Sequence, residues 1–137
     1  MSTSNQTYVA VIDDDSSLNT ALGRLLRVEG FQPIAYLSAE AFLADAKRPQ
    51  FDCLVIDIRL GGMSGLDLLR QLASGGPHAP VIVITAFDDP DMRSQAAALG
   101  CVGFFRKSTP GSEIVGAIRR ATLPEEQSAT GGSNAER

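Results

Sequence analysis

Short unbroken apolar runs alternate along this chain with stretches in which apolar residues recur every three or four positions. Four runs, Tyr8 to Ile12, Cys53 to Ile56, Val81 to Ile84 and Gly103 to Arg106, have the length of a strand buried on both faces. A fifth, Gln32 to Tyr36, contains Pro33, which cannot donate to a ladder on both sides and so predicts an edge strand. Between the runs, Leu18, Leu22, Leu25 and Leu26 share one helical face, and Gly30 stops the pattern. Ser38 reads as the N-cap of a helix carrying Ala41, Phe42 and Ala46. Ser64 opens another, with Asp67 as a capping-box partner and Leu66, Leu68, Leu69 and Leu72 as its stripe. Asp89-Pro90 reads as N-cap and first helical position, and Thr109-Pro110 repeats that signal before Ile114, Val115, Ile118 and Ala121.

Strands alternating with helices imply a parallel sheet with right-handed crossovers. The expected fold is α/β, a doubly wound five-stranded parallel sheet of order 2-1-3-4-5, flavodoxin-like, which places the Pro33 strand at an edge. That order also opens a switch point between strands one and three, where a ligand site is expected. The 137 residues suit one core, taken as residues 1–123. Residues 124–137 are polar and aperiodic, so disorder is expected there.

The chemistry falls on strand ends. Asp14, Asp57, Thr85 and Lys107 each follow one of the apolar runs, and Asp13 sits beside Asp14. Strand C-termini share one edge of a parallel sheet, so these side chains should converge there. Two carboxylates about 4 Å apart repel by roughly 4 kcal/mol at an effective dielectric near 20. Such a site must protonate or take a cation, and an all-oxygen set without His or Cys favours magnesium. With the metal and Lys107 neutralising phosphoryl oxygens, one carboxylate can attack phosphorus, and Thr85 can donate its hydroxyl to the same group. Strand ends often carry Asp or Thr as simple helix caps, and Asp15 and Ser16 are read in that way. Three acids at two strand ends, then Thr and Lys at the next two, make a far more specific combination.

Charge and composition narrow the class. A net charge of −4 argues against a direct grip on nucleic acid phosphates. No apolar run is long enough to cross a bilayer, and Met1 to Thr7 lacks the features of a secretory signal, so a cytoplasmic protein is expected. Cys53 and Cys101 lack metal or redox spacing and read as buried thiols in a reducing compartment. His78, in a Gly-Gly-Pro-His-Ala-Pro loop, reads as solvated and is given no role.

Val-Ile-Asp-Asp-Asp at 11–15, Leu-Val-Ile-Asp-Ile-Arg-Leu at 54–60, Met-Ser-Gly-Leu-Asp-Leu-Leu at 63–69, Val-Ile-Val-Ile-Thr-Ala at 81–86 and Gly-Phe-Phe-Arg-Lys at 103–107 together resemble the receiver domains of two-component response regulators. The resemblance covers about Thr7 to Thr122. It implies that Asp57 accepts a phosphoryl group from a histidine kinase or a histidine phosphotransfer protein. It also implies Mg2+ held by Asp14 and Asp57, by Asp13 directly or through water, and by the Arg59 backbone carbonyl. Thr85 and Lys107 would bind phosphoryl oxygens, and Phe104 stands at the position of the switch aromatic. The expectation is a single-domain response regulator: the tail is too short for a DNA-binding output domain, so output would pass by shape change to a downstream protein target, from a monomer or a phosphorylation-dependent dimer. Enzymatic activity would extend no further than autophosphorylation and autodephosphorylation.

Three departures from the family pattern bear on loop geometry and phosphoryl lifetime. Lys107 precedes Ser108 where the family usually has proline after a cis peptide, so a trans bond is expected here. Gly61-Gly62 replaces the usual proline four residues after the acceptor aspartate, and Arg59 and Phe87 would flank the route of hydrolytic water. A phosphorelay shuttle and a receiver cut from a longer transcription factor stay open within the class. An aspartate-nucleophile phosphatase is the alternative outside it, although such enzymes usually carry Asp-x-Asp on the first strand. A flavin-binding module would need a Ser/Thr-rich phosphate loop after strand one, which is missing.

Overall fold

The computed structural model describes residues 6–87 and 89–123. The expectation for 124–137 lies outside the described residues. Five strands, β1 (Tyr8–Ile12), β2 (Gln32–Tyr36), β3 (Cys53–Asp57), β4 (Val81–Thr85) and β5 (Gly103–Arg106), alternate with α1 (Ser16–Val28), α2 (Ala39–Ala44), α3 (Gly65–Ser74), α4 (Pro90–Ala98) and α5 (Gly111–Thr122). All neighbouring pairs are parallel, in the order β2-β1-β3-β4-β5.

Two layers of helix close the sheet. On one face Leu22 and Leu26 of α1 and Ile114, Val115 and Ile118 of α5 cover Val9, Val11, Val55, Ile82 and Ile84. On the other, Phe42 of α2, Leu66 and Leu69 of α3 and Ala96 of α4 cover Ala10, Ile12, Leu54, Ile56 and Val83. Every residue of β3 and β4 is buried, which explains why both read as unbroken apolar runs. The edge role of β2 follows from its backbone. Gln32 donates its N–H to the Thr7 carbonyl, so residues 32, 34 and 36 direct their backbone groups toward β1 and Pro33 faces the open edge. There its missing N–H costs no ladder bond.

The caps show how sequence sets each helix. Asp15 accepts from the Ser17 and Leu18 N–H groups at 3.1 and 3.2 Å, Ser38 from Ala41 at 2.9 Å, Ser64 from Asp67 at 3.0 Å and Asp89 from Asp91 at 3.0 Å. Asp67 does not return a bond to Ser64; its carboxylate pairs with Arg70 at 3.0 Å.

Four expectations are corrected. Strand β5 is not buried on both faces: it forms the other edge of the sheet, half-buried over Gly103 to Phe105 and exposed at Arg106. Helix α2 ends at Ala44, so Ala46 lies beyond it: the Tyr36 hydroxyl donates to Asp45 at 2.6 Å, and Arg48 donates to the carbonyls of Phe42 and Leu43, satisfying the last turn early. Pro110 is the N-cap of α5 rather than its first residue. Thr109 is consumed by a turn in which its N–H donates to the Arg106 carbonyl at 2.9 Å. Cys53 is buried, and burial pushes its thiol up to about 12, but Cys101 is only half-buried. The Lys107–Ser108 peptide is trans.

Candidate functional site at the carboxyl edge of the sheet

Strands β1 and β3 are neighbours, with Ile12 opposite Ile56, so the residues that follow each arrive side by side. Asp13 and Asp57 are both buried, at 0% and 2% exposure, while Asp14 points into solvent. Each of the three carboxylates can offer one oxygen to a common point, with those oxygens all within 4.8 Å of one another. Lys107, carried to the site by β5, sets its Nζ 2.9 Å from Asp57 Oδ2 and 3.2 Å from Asp13 Oδ1. Its backbone N–H donates to the Thr85 carbonyl at 2.7 Å, which fixes the β5 end against the β4 end.

Electrostatics follow from this crowding. Burial is the main force that pushes the Asp13 carboxyl up to about 6, with the Asp57 charge adding to it; the bonds from Asp15 N–H and Lys107 pull the other way. Burial alone would lower the Lys107 ammonium, but hydrogen bonds to Asp57 and Asp13 outweigh it and hold the lysine above its usual range. Asp13 Oδ2 is buried with no hydrogen-bond partner among the described residues. A buried carboxylate oxygen with no donor, beside two further carboxylates, fits a hard cation. The three carboxylates present therefore suit a divalent cation such as magnesium.

Thr85 ends β4, fully buried. Its hydroxyl donates to the Phe87 carbonyl at 2.9 Å and accepts from the Phe87 N–H at 3.2 Å, so it is turned along its own loop. The Arg59 guanidinium lies 5.0 Å from the centre of the Phe87 ring, and Phe87 is 61% exposed. This pair spans the β3 and β4 loops beside the site. Phe104 is half-buried on β5, with the Arg93 guanidinium 4.5 Å from its ring centre. His78 is exposed in its loop, its Nδ1 2.7 Å from the Ala79 carbonyl oxygen. It lines a cavity of about 510 Å3 with Phe42, Arg48, Phe51 and Leu72, near the amino ends of β3 and β4, and no residue of the acidic site lines it.

The loop after Asp57 is held by its own N–H groups. Arg59 donates to Asp57 Oδ1 at 3.0 Å, Gly61 to Asp14 Oδ2 at 3.3 Å and Met63 to Glu40 Oε2 at 2.8 Å. Gly65 then turns back so closely that any Cβ would fall on the Asp57 carbonyl. Two contributors escaped the sequence reading. Glu40 reaches the loop from α2, across 23 residues, which no local spacing reveals. Asn19 left a readable trace, a polar residue on the face of Leu22 and Leu26. It is buried, and its amide donates to the carbonyls of Val11, Asp13 and Tyr36, tying α1 to the ends of β1 and β2.

A 2-1-3-4-5 parallel sheet with an acidic pocket and one lysine at its carboxyl edge defines a receiver-type α/β domain. Residues 9–119 match the response regulator receiver domain, and the chain belongs to that family. It is 39% identical over 113 residues to the response regulator protein TodT of Pseudomonas putida, covering 82% of this chain and 50% of that protein. It is 38% identical over 114 residues to the transcriptional regulatory protein FixJ of Rhizobium meliloti, covering 83% of this chain and 56% of that one. The crystal structure of FixJ-N superposes with a TM-score of 0.78 at 36% identity, covering 86% of this chain and 94% of that one. The chain thus spans about half the length of the curated relatives it matches.

Proposed function

We propose that this receiver accepts a phosphoryl group on Asp57 from a histidine kinase or histidine phosphotransfer protein and signals to a protein partner by changing shape. One observation carries the reading: Asp57 Oδ2 lies 2.9 Å from the Lys107 ammonium, inside a cluster of three carboxylates that must be neutralised. Asp57 supplies the attacking carboxylate oxygen, and its O–P bond forms as the P–N bond of the donor phosphohistidine breaks, the electron pair leaving with the imidazole. Lys107 is placed to follow the incoming phosphoryl oxygens, exchanging its contact with the carboxylate for one with the phosphoryl group. Asp13, Asp14 and Asp57, with the Arg59 carbonyl, would hold Mg2+. When bound, the ion would supply charge neutralisation at the phosphoryl oxygens and help orient the group for attack.

Thr85 must release the Phe87 carbonyl to donate to the phosphoryl group, and that exchange is the first local movement of the switch. Thr85 pairs with Arg106 of β5, two residues beyond Phe104 on that strand, and its loop leads into α4, so the change reaches the α4–β5 surface early. Residues 1–123 form the receiver unit in this reading. Among the described residues no helix is long and apolar enough to cross a membrane, and the two free thiols suit the cytoplasm. The domain itself makes no contact with nucleic acid and turns over no outside substrate. A second reading, that of a receiver belonging to a longer transcription regulator, is favoured by the half-length match to TodT and FixJ.

Incubation with acetyl phosphate and magnesium, followed by intact-mass spectrometry, tests the assignment. The protein gains one phosphoryl group and Asp57→Asn gains none; uptake by that variant would place the acceptor elsewhere.

A further inference from the structure

The loop from Ile58 to Ser64 presents alternate N–H groups to three carboxylates. Two of these, Asp57 and Asp14, also belong to the acidic cluster. A cation drawn to that cluster would draw on the same two carboxylates that accept from Arg59 and Gly61 N–H, so neither anchor is independent of the metal. Glu40 is the third anchor and stands outside the cluster. Its Oε2 takes the Met63 N–H at 2.8 Å, and that bond together with one from its own N–H holds the Glu40 carboxyl below the usual range. Gly62 lies under the same carboxylate, at φ +71°, where a Cβ would approach Glu40 Oε2 to 2.6 Å. The glycine therefore admits both the left-handed turn and the carboxylate.

We infer that Glu40 is a positioning residue for the cation site: it clips the Gly61–Gly62 loop to α2 and so presets the Arg59 backbone independently of the metal. This inference rests on the proposed magnesium site and adds a specific determinant to it. Two consecutive glycines are the least constrained dipeptide available, and an ordered backbone ligand two residues upstream requires something to remove that freedom. A carboxylate acceptor does so through a charge-assisted bond, and it works from an exposed position without occupying the site. Metal sites commonly depend on such supporting bonds around their direct ligands.

The test uses the full chain and three variants, Glu40→Ala, Glu40→Lys and Glu40→Gln, titrated with Mg2+ alone while backbone amide shifts are followed. Hydrogen exchange of the Met63 amide is read in the metal-free protein. Expected in the Ala and Lys variants are faster Met63 exchange and Mg2+ binding weakened roughly tenfold. The Gln variant, whose side-chain carbonyl still accepts from Met63, keeps both close to the parent. Equal weakening in Gln and Ala would assign the effect to the Glu40 charge and overturn the clip. Unchanged Mg2+ affinity in both Ala and Lys would overturn it as well, while leaving the site itself intact. Failure of the parent protein to bind Mg2+ would strike the proposed site instead.

Discussion

Ile12 and Ile56 sit opposite each other near the middle of the sheet, 0% and 1% exposed, among aliphatic neighbours. One residue further along the same two strands, Asp13 and Asp57 are buried just as deeply but carry carboxylates. The first pair gains from every neighbour; the second is crowded with like charge and holds together through one lysine. Interior and edge share backbone geometry, so the difference lies wholly in side-chain chemistry. The strands secure the fold, and their ends spend part of that stability on a poised, undercompensated site.

The largest expected effect breaks the edge without touching the interior. Asp14→Ala removes a proposed cation ligand at a solvent-facing position, so phosphoryl uptake and Mg2+ binding should be lost at ordinary metal concentrations while the melting temperature changes little. Undiminished phosphorylation, measured by intact mass, would contradict the role of Asp14. Ile56→Ala does the reverse. It should cost about 2–5 kcal/mol in chemical denaturation by leaving a cavity, with the acceptor chemistry of the surviving folded fraction retained.

Asp13→Asn sharpens the comparison because its sign is opposite to that of Ile56→Ala. Removing a buried charge that is disfavoured at neutral pH should stabilise the metal-free protein, on the order of 1 kcal/mol, while weakening Mg2+ binding. The pH dependence follows the same residue. The folded protein keeps the Asp13 proton up to about 6, whereas its ordinary value is 3.8. The folded state therefore binds more protons between these limits, and this group's contribution to metal-free stability declines as pH rises from about 4 to about 6. Magnesium competes with that proton, so apparent affinity falls as pH drops through about 6. Denaturant melts and metal titrations across this range check both slopes, and Asp13→Asn should flatten them.

The smallest effects are expected at the rim. Arg59 stacks over Phe87 beside the pocket, and Arg59→Ala or Phe87→Ala should admit water and quicken loss of the phosphoryl group, leaving its uptake intact. Equal dephosphorylation rates in parent and both variants would remove the pair from that role.

Strand ends and most helix starts were legible because they depend on local physics. Asp15, Ser38, Ser64 and Asp89 cap where their side chains can reach the next N–H groups, a matter of two or three residues. Errors came where a competing hydrogen bond displaced the expected helix boundary. Arg48 and Tyr36 cut α2 short of Ala46, and the turn joining Thr109 to Arg106 moved the start of α5. The acidic cluster was readable as a set, but its division of labour was not. Asp13 and Asp14 look interchangeable in the sequence, yet strand alternation buries one under Lys107 and turns the other to solvent near Gly61.

The sequence by itself determined the period of most elements, the strand order permitted by Pro33 and the convergence of Asp13, Asp14, Asp57 and Lys107 at one sheet edge, because these follow from hydrophobic spacing and the common direction of parallel strands. Only the tertiary structure decided that Thr85 turns to Phe87, that Arg59 covers that ring and that Glu40 holds the loop after the acceptor strand. Each of these is a contact between side chains or loops set by the packing of separate elements, and a spacing rule carries no record of which elements will meet.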